Sequence, residues 1–90
     1  MERSNFHIHE EIGSVLELNY VYTVLTPIVF PYRKMYCCYY GISDTIFGFG
    51  STIEESIHSW HLELCVRMSD LNEDDILGQE IKSKLLGEMW

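Results

Sequence analysis

The chain has 90 residues, an apolar fraction of 47% and an aromatic fraction of 13%, which predicts one folded domain and not a disordered segment. Its formal net charge of -8 argues against a binder of duplex DNA or RNA, because such proteins contact phosphates with clustered Lys and Arg. No apolar run reaches the roughly 20 residues of a membrane span, and Met1–Asn5 lacks the pattern of a signal peptide. We therefore expect a cytoplasmic protein that has no membrane partner.

The residues that follow the N-terminal segment predict strands. Residues 1–18 themselves fit a strand or a helix equally well. Tyr20–Thr26 is β-branched and aromatic throughout, which favours a strand. Pro27 and Pro31 then bracket a short apolar piece that we interpret as an edge, a bulge or a strand end, because proline cannot donate to a strand ladder.

Two further strands are predicted before residue 50. Met35–Tyr40 and Thr45–Phe49 have the same β-branched and aromatic character. Neighbouring side chains of a strand point to opposite faces, so Cys37 and Cys38 are expected on different sides of the sheet. The three cysteines of the chain are an odd number without an export signal, which favours free thiols over disulfides.

The main helix is predicted over residues 52–68, directly after the sheet. Thr52 suits the N-cap, and Glu55 at the third helical position completes a capping box. The apolar side chains recur at spacings of three and four residues and would form one buried face. This predicted face comprises Ile53, Ile57, Trp60, Leu64 and Met68.

An acidic C-terminal helix is predicted over residues 72–88, with three carboxylates in its first turn and the apolar side chains Leu77, Ile81 and Leu85 on one face. The whole chain, residues 1–90, is then a single α+β domain. Its small three-stranded antiparallel sheet, within residues 20–50, is packed by one main helix and accompanied by this acidic helix.

The step from the third strand into the main helix reads Gly50-Ser51-Thr52-Ile53-Glu54-Glu55-Ser56-Ile57. Together with the strands before it, this step resembles the HicB-type antitoxin domain over residues 20–68, with Ser56 where that family usually has alanine. The resemblance implies a β-β-β-α core with a partial ribonuclease-H-like fold. It also implies a protein that binds and neutralises a small ribonuclease toxin. Many members carry a DNA-binding part as well, which the short acidic sequence after Ser69 is not expected to supply.

Catalysis and metal binding are less favoured by the sequence. Four potential zinc ligands fall on one stripe of the main helix: Glu54, His58, His61 and Cys65. Structural zinc usually takes closely spaced ligand pairs in loops, so we expect no metal and no cofactor here. Cys37 and Cys38 lack a nucleophile elbow, and Gly48–Ser51 lacks the lysine of a phosphate-binding loop. A non-catalytic protein is therefore expected, with a small metal-dependent enzyme as an alternative.

All six tyrosines lie between residues 20 and 40. Four of them suggest a stacking platform for single-stranded nucleic acid: Tyr20, Tyr22, Tyr36 and Tyr40. That use needs a positive groove, and only Arg33 and Lys34 are near. Core packing and a protein interface, where aromatic side chains are enriched, are the other interpretations, and we favour a mixture of these two.

These observations predict an inhibitory protein-binding module. We expect its partner to be a basic, nucleic-acid-processing protein, with no direct contact to nucleic acid. The candidate partner-binding residues are aromatic or acidic: Tyr36, Tyr40, Trp60, Glu73, Asp74, Asp75 and Trp90. The alternative is a phage-type acidic inhibitor that mimics the charge of DNA to block a host defence enzyme. A homodimer is also expected, because so short a chain buries a small core.

Overall fold

The structure, a computed structural model, describes residues 16–87 of the chain. This part is a mixed α+β domain with three helices and one three-stranded antiparallel sheet, which confirms the expected fold class. In chain order the elements are α1 (Leu18–Leu25), β1 (Ile28–Tyr32), β2 (Met35–Tyr40), β3 (Ile46–Gly50), α2 (Ile53–Ser69) and α3 (Ile76–Leu85).

The sheet has the order β1-β2-β3, with both neighbouring pairs antiparallel. Its register places Cys37 beside Phe30 and Phe49, whereas Cys38 lies beside Val29 and Gly48. Cys38 belongs to the core that the helices share with the sheet. Because side chains alternate along a strand, Cys37 points to the other face, as predicted.

The strand prediction for Tyr20–Thr26 is wrong, because helix α1 occupies most of this segment. The side chain of Glu17 caps the helix by accepting a hydrogen bond from the Tyr20 N–H at 3.1 Å. Val21 and Leu25, four residues apart, are both buried on one side of the helix. Tertiary packing thus overrides the strand preference of the β-branched and aromatic residues.

The first strand of the sheet is instead the proline-flanked segment. Strand β1 follows Pro27 and contains Pro31, and it lies at an edge of the sheet. Since Pro31 has no N–H to donate, an edge position is where it can be accommodated without breaking a ladder between two neighbours. The interpretation of this piece as an edge is confirmed.

Helix α2 agrees closely with its predicted bounds and packs across the sheet. Its buried side chains are Ser56, Trp60, Leu64 and Met68. The buried face of the helix differs from the predicted one by part of a turn. Ile53 is 49% exposed, and Ser56 is fully buried in its place. The helix approaches β3 closely: a methyl group added to Gly48 would lie 2.5 Å from the Trp60 Cα atom. Glycine is therefore required at this crossing.

The C-terminal helix begins later than predicted. Asn72 uses its side-chain oxygen to accept from the Asp74 N–H at 2.8 Å, which holds a turn in place of a helix. Asp75 is the N-cap, and its carboxylate accepts from the Gly78 N–H at 3.0 Å. The helix ends at Leu85.

The helices enclose one core with the inner face of the sheet. Leu77, Ile81 and Leu85 of α3 are buried in it, as predicted for their apolar face. The Tyr20 hydroxyl donates to the Leu85 carbonyl at 2.7 Å and so joins α1 to the end of α3. None of the described helices has the length and the apolar composition needed to span a lipid bilayer.

Removal of the α2 cap gives a first testable consequence. The Thr52 hydroxyl accepts from the Glu55 N–H at 3.1 Å, and the Glu55 carboxylate accepts from the Ser51 N–H at 3.0 Å. We expect Thr52→Ala to lower the free energy of unfolding by about 1 kcal/mol, because one helix N–H loses its acceptor. Thr52→Ser keeps the hydroxyl and is expected to match the wild type in urea denaturation. Equal stability of all three proteins would contradict the capping assignment.

Candidate partner-binding surface

The outer face of the sheet, which we call the open face, is lined only by apolar and aromatic side chains. It is made by Ile28, Phe30, Tyr32, Met35, Cys37, Tyr39, Phe47 and Phe49. All the described helices pack on the opposite side, where the core lies. Within residues 16–87, no element covers the open face.

The five rings of the open face form one connected cluster. Phe30 lies edge-on to Tyr39, with ring centroids 5.8 Å apart, and Phe47 stacks with Phe49 at 6.3 Å. Tyr32 contacts Phe49 and Tyr39 contacts Phe47, and in both pairs the ring centroids lie 6.0 Å apart. Aromatic pairs in these geometries stabilise one another, so the rings form an ordered surface.

Much of this cluster is open to solvent. Phe47 is 47% exposed and Phe49 is 44% exposed, and Ile28 at the edge strand reaches 54%. Large contiguous apolar patches are uncommon on monomeric soluble proteins and mark interaction sites. The open face is therefore the strongest candidate for a binding surface in the described part of the chain.

Cys37 lies at the centre of the open face but is only 1% exposed. Its strand neighbours in register are Phe30 and Phe49. Burial raises the pKa of Cys37, and burial together with neighbouring Cys37 raises the pKa of Cys38 to about 12. Both groups stay protonated at neutral pH, which fits structural thiols and not nucleophiles.

Positive charge lies at one end of the open face. The β1–β2 turn contains Arg33, whose guanidinium carbon lies 5.3 Å from the centre of the Tyr32 ring, and Lys34 follows it. These two cations do not surround the rings. The arrangement fits an apolar protein surface better than it fits a nucleic-acid strand, which needs a positive groove along its backbone.

The tyrosines proposed from the sequence as a stacking platform do not share a surface. Tyr20 and Tyr22 belong to α1, while Tyr36 and Tyr40 lie on the side of the sheet that faces the helices. Tyr40 packs against the core, and its hydroxyl accepts a hydrogen bond from the Lys84 ammonium at 2.8 Å. The platform interpretation is wrong for these four residues.

Three of the four predicted partner-binding aromatics lie in the core or on the helix side of the sheet, and the fourth lies outside the described range. Trp60 belongs to α2 and its side chain is fully buried, so it cannot contact a partner while the domain is folded. Its indole Nε1–H finds no acceptor among the described side chains and backbone groups. Tyr36 is half-buried on the helix side of the sheet. Trp90 lies beyond residue 87, outside the described residues.

The predicted acidic triplet divides into structural and exposed members. Asp75 is bound by Arg67, whose Nε and Nη2 atoms lie 2.9 and 2.8 Å from its two oxygens. Arg67 also donates to Asp44 at 2.5 Å, which ties the β2–β3 loop to α2 and α3. Glu73 and Asp74 are exposed. Asp75 is thus a structural residue, and the other two carboxylates remain available to a partner.

The Asp75 contacts predict how stability depends on pH. Hydrogen bonds from Arg67 and from the Gly78 N–H lower the pKa of Asp75 to about 2. A carboxylate whose pKa is depressed by folding adds stability above its unfolded pKa of about 4, and this stability disappears as the pH falls through about 2.

We expect Asp75→Asn to lower the free energy of unfolding by about 0.5 to 1 kcal/mol at pH 7, because the ion pair is lost while a capping oxygen remains. The difference from wild type should shrink between about pH 4 and 2 as Asp75 is protonated. Glu73→Gln, an exposed neighbour, is the control and should stay near wild type. A difference for Asp75→Asn that is constant across this pH range would contradict the assignment.

The four potential zinc ligands of α2 are not grouped as a metal site. His61 Nε2 lies 2.6 Å from the Leu16 carbonyl oxygen, and because that oxygen only accepts, Nε2 carries the proton. Cys65 lies 3.5 Å from the same nitrogen, and burial raises the pKa of its thiol. Glu54 and His58 are exposed. Within residues 16–87, no three His, Cys, Asp or Glu side chains are grouped so that they could hold a metal ion.

The sequence analysis does not predict the open face. Phe30 lies in the piece interpreted as an edge, a bulge or a strand end, and Phe47–Phe49 lies in a predicted strand. Alternation within each strand would have paired them with Tyr32 and Tyr39, once the first strand was placed after Pro27.

No family model, curated protein or solved structure matches the chain.

Proposed function

We propose that the protein is a non-catalytic binding module that neutralises a basic, nucleic-acid-processing protein. The observation that carries this proposal is the open face with its connected ring cluster, which no element of residues 16–87 covers and on which none of their charged side chains lies. Aromatic side chains are enriched at the energetic centres of protein interfaces. This face supplies the affinity in the proposed complex.

The charge of the chain supports a basic partner. The net charge is -8, and none of the acidic side chains that the structure describes lies on the open face. Carboxylates around an apolar interface speed the approach of a positively charged protein, while burial of the rings holds the complex. A ribonuclease or another nucleic-acid-processing protein presents such a positive surface.

The order of elements fits the HicB-type resemblance. Strands β1, β2 and β3 are followed directly by α2, and Ser56 occupies the fully buried position where the family usually has alanine. Its hydroxyl donates to the Ile53 carbonyl at 2.7 Å, so the extra oxygen is satisfied within the helix. Neutralisation of a toxin by an antitoxin-like module is accordingly the form of the function that we propose.

Inhibition by charge mimicry alone receives less support. A DNA mimic presents ordered rows of free carboxylates, whereas Asp75 is bound to Arg67 and Asp44 shares the same guanidinium. The exposed carboxylates of the α2–α3 connection are Glu73 and Asp74, beside Asp70. These observations favour a mainly apolar interface that is assisted by charge.

Affinity capture tests this function. The tagged protein is incubated with nuclease-treated lysate of its natural host at low and at high salt. We expect one stoichiometric basic protein whose recovery falls only in part at high salt, since apolar contacts persist when charges are screened. Capture of an acidic protein, or of nucleic acid alone, would contradict the proposal. A dimer that forms without a second protein, measured by light scattering, and that is lost in Phe47→Thr/Phe49→Thr would assign the open face to another copy of the chain.

A further inference from the structure

A concave surface, which we call the cleft, lies beside the open face and has a volume of about 1030 Å³. It is formed where the β2–β3 loop, residues 41–44, faces the start of α3. Ile28 and Tyr39 belong both to the cleft and to the open face. A partner bound on the open face would therefore reach the cleft without leaving the protein surface.

The two sides of the cleft each carry an isoleucine that protrudes into solvent. Ile42 in the β2–β3 loop is 98% exposed, and Ile76 at the start of α3 is 81% exposed. They come from separate elements, yet both line the same cleft, together with Pro27 and Leu77. Exposed aliphatic side chains on both sides of one concavity suit an occupant that brings apolar side chains of its own.

The charges that line the cleft are predominantly negative. Its carboxylates are Asp44, Asp74, Asp75 and Glu80, and its cations are Arg67 and Lys84. Both cations are already engaged: Arg67 binds Asp75 and Asp44, while Lys84 donates to the Tyr40 hydroxyl and lies 3.9 Å from the Glu80 carboxylate. An anionic occupant would meet no free cation here, whereas a cationic one would meet exposed carboxylates.

We propose that the cleft binds a basic, aliphatic segment of the partner protein, with lysine or arginine side chains beside leucine-like ones. This inference rests on the proposed function and adds the chemistry of the segment that the partner inserts. The isoleucines pack against the aliphatic side chains. Asp74 and the remaining lone pairs of Asp44 and Glu80, which Arg67 and Lys84 leave free, receive the cationic groups.

A titration with synthetic peptides tests the cleft directly. The ¹⁵N-labelled protein is titrated with a short peptide of lysine and leucine, with a glutamate–leucine peptide of the same length, and with spermidine. We expect only the lysine–leucine peptide to bind tightly enough to shift the amide signals of residues 41–44 and 74–77. Equal binding of the acidic peptide, shifts that lie elsewhere, or binding of spermidine with equal affinity would overturn the proposal.

Paired variants connect this binding to the cleft. Ile42→Ser/Ile76→Ser is expected to weaken peptide affinity about tenfold, because two apolar contacts are lost. Leu62→Ser/Val66→Ser removes two side chains of α2 that are also exposed but do not line the cleft, and it should bind like the wild type. Equal effects of the two double variants would overturn the assignment. If no peptide binds but a basic protein is captured, the cleft is not the site of the inserted segment, and the proposed function of the open face is unaffected.

Discussion

Replacement of Trp60 by alanine is expected to lower the free energy of unfolding by about 3 to 5 kcal/mol. The indole is fully buried between α2 and the sheet, and Trp60 belongs to the core cluster that also contains Cys38 and Leu64. Its removal leaves a cavity that the surrounding backbone elements cannot close. Since small domains have only about 5 to 15 kcal/mol of stability in total, much of the protein should unfold at low denaturant.

Trp60→Phe is the matched variant for this prediction. It keeps an aromatic ring in the core and removes an indole N–H that has no acceptor among residues 16–87. We therefore expect it to recover much of the lost stability, because a buried unsatisfied donor is itself unfavourable. Urea denaturation followed by circular dichroism measures both variants. An alanine variant as stable as wild type would contradict the burial of Trp60 and restore it as a surface residue.

Gly48→Ala is expected to be strongly destabilising. The new Cβ atom would lie 2.5 Å from the Trp60 Cα, nearer still to the Trp60 nitrogen, and 2.7 Å from the Ser56 carbonyl oxygen. These are backbone atoms of α2, so no side chain can rotate away. The helix must move off β3, and we expect a loss of about 3 kcal/mol, the upper end for overpacked sites.

Gly87→Ala separates this collision from the general cost of replacing glycine. Gly87 has a φ of +72°, and a methyl group there would meet no atom within 4 Å. Its expected cost is about 1 kcal/mol, which reflects only the backbone conformation. Equal stability of the two alanine variants in thermal and urea denaturation would contradict the close approach of α2 to β3.

The fold was predictable where local and tertiary preferences agree. Helix α2 combines a capping box with regular apolar spacing, and β2 is short, apolar and bounded by turn residues. Tyr20–Leu25 shows the opposite case. Its composition favours a strand, but Val21 and Leu25 are buried in the core and the Tyr20 hydroxyl bonds to Leu85, a residue distant in sequence. A contact of that range cannot be read from a local window.

The candidate surface was less predictable than the fold. Trp60 and Asp75 have the residue types that interfaces favour, yet one fills the core and the other pairs with Arg67. The open face emerges only when three strands are aligned in register, since it combines Phe30 with Phe47 and Phe49 across β2. A shift of one residue in any strand would point its rings into the core.

The open face as the partner-binding surface is the central claim, and calorimetric titration with the captured partner tests it most directly. The wild type is compared with Phe47→Thr/Phe49→Thr, which keeps strand-forming residues on β3, and with Leu62→Gln/Val66→Gln, which removes exposed apolar side chains from α2. Melting curves first establish that each variant is folded. The account predicts that the β3 variant binds about 100-fold more weakly while the α2 variant keeps wild-type affinity. Wild-type affinity of the folded β3 variant would contradict it.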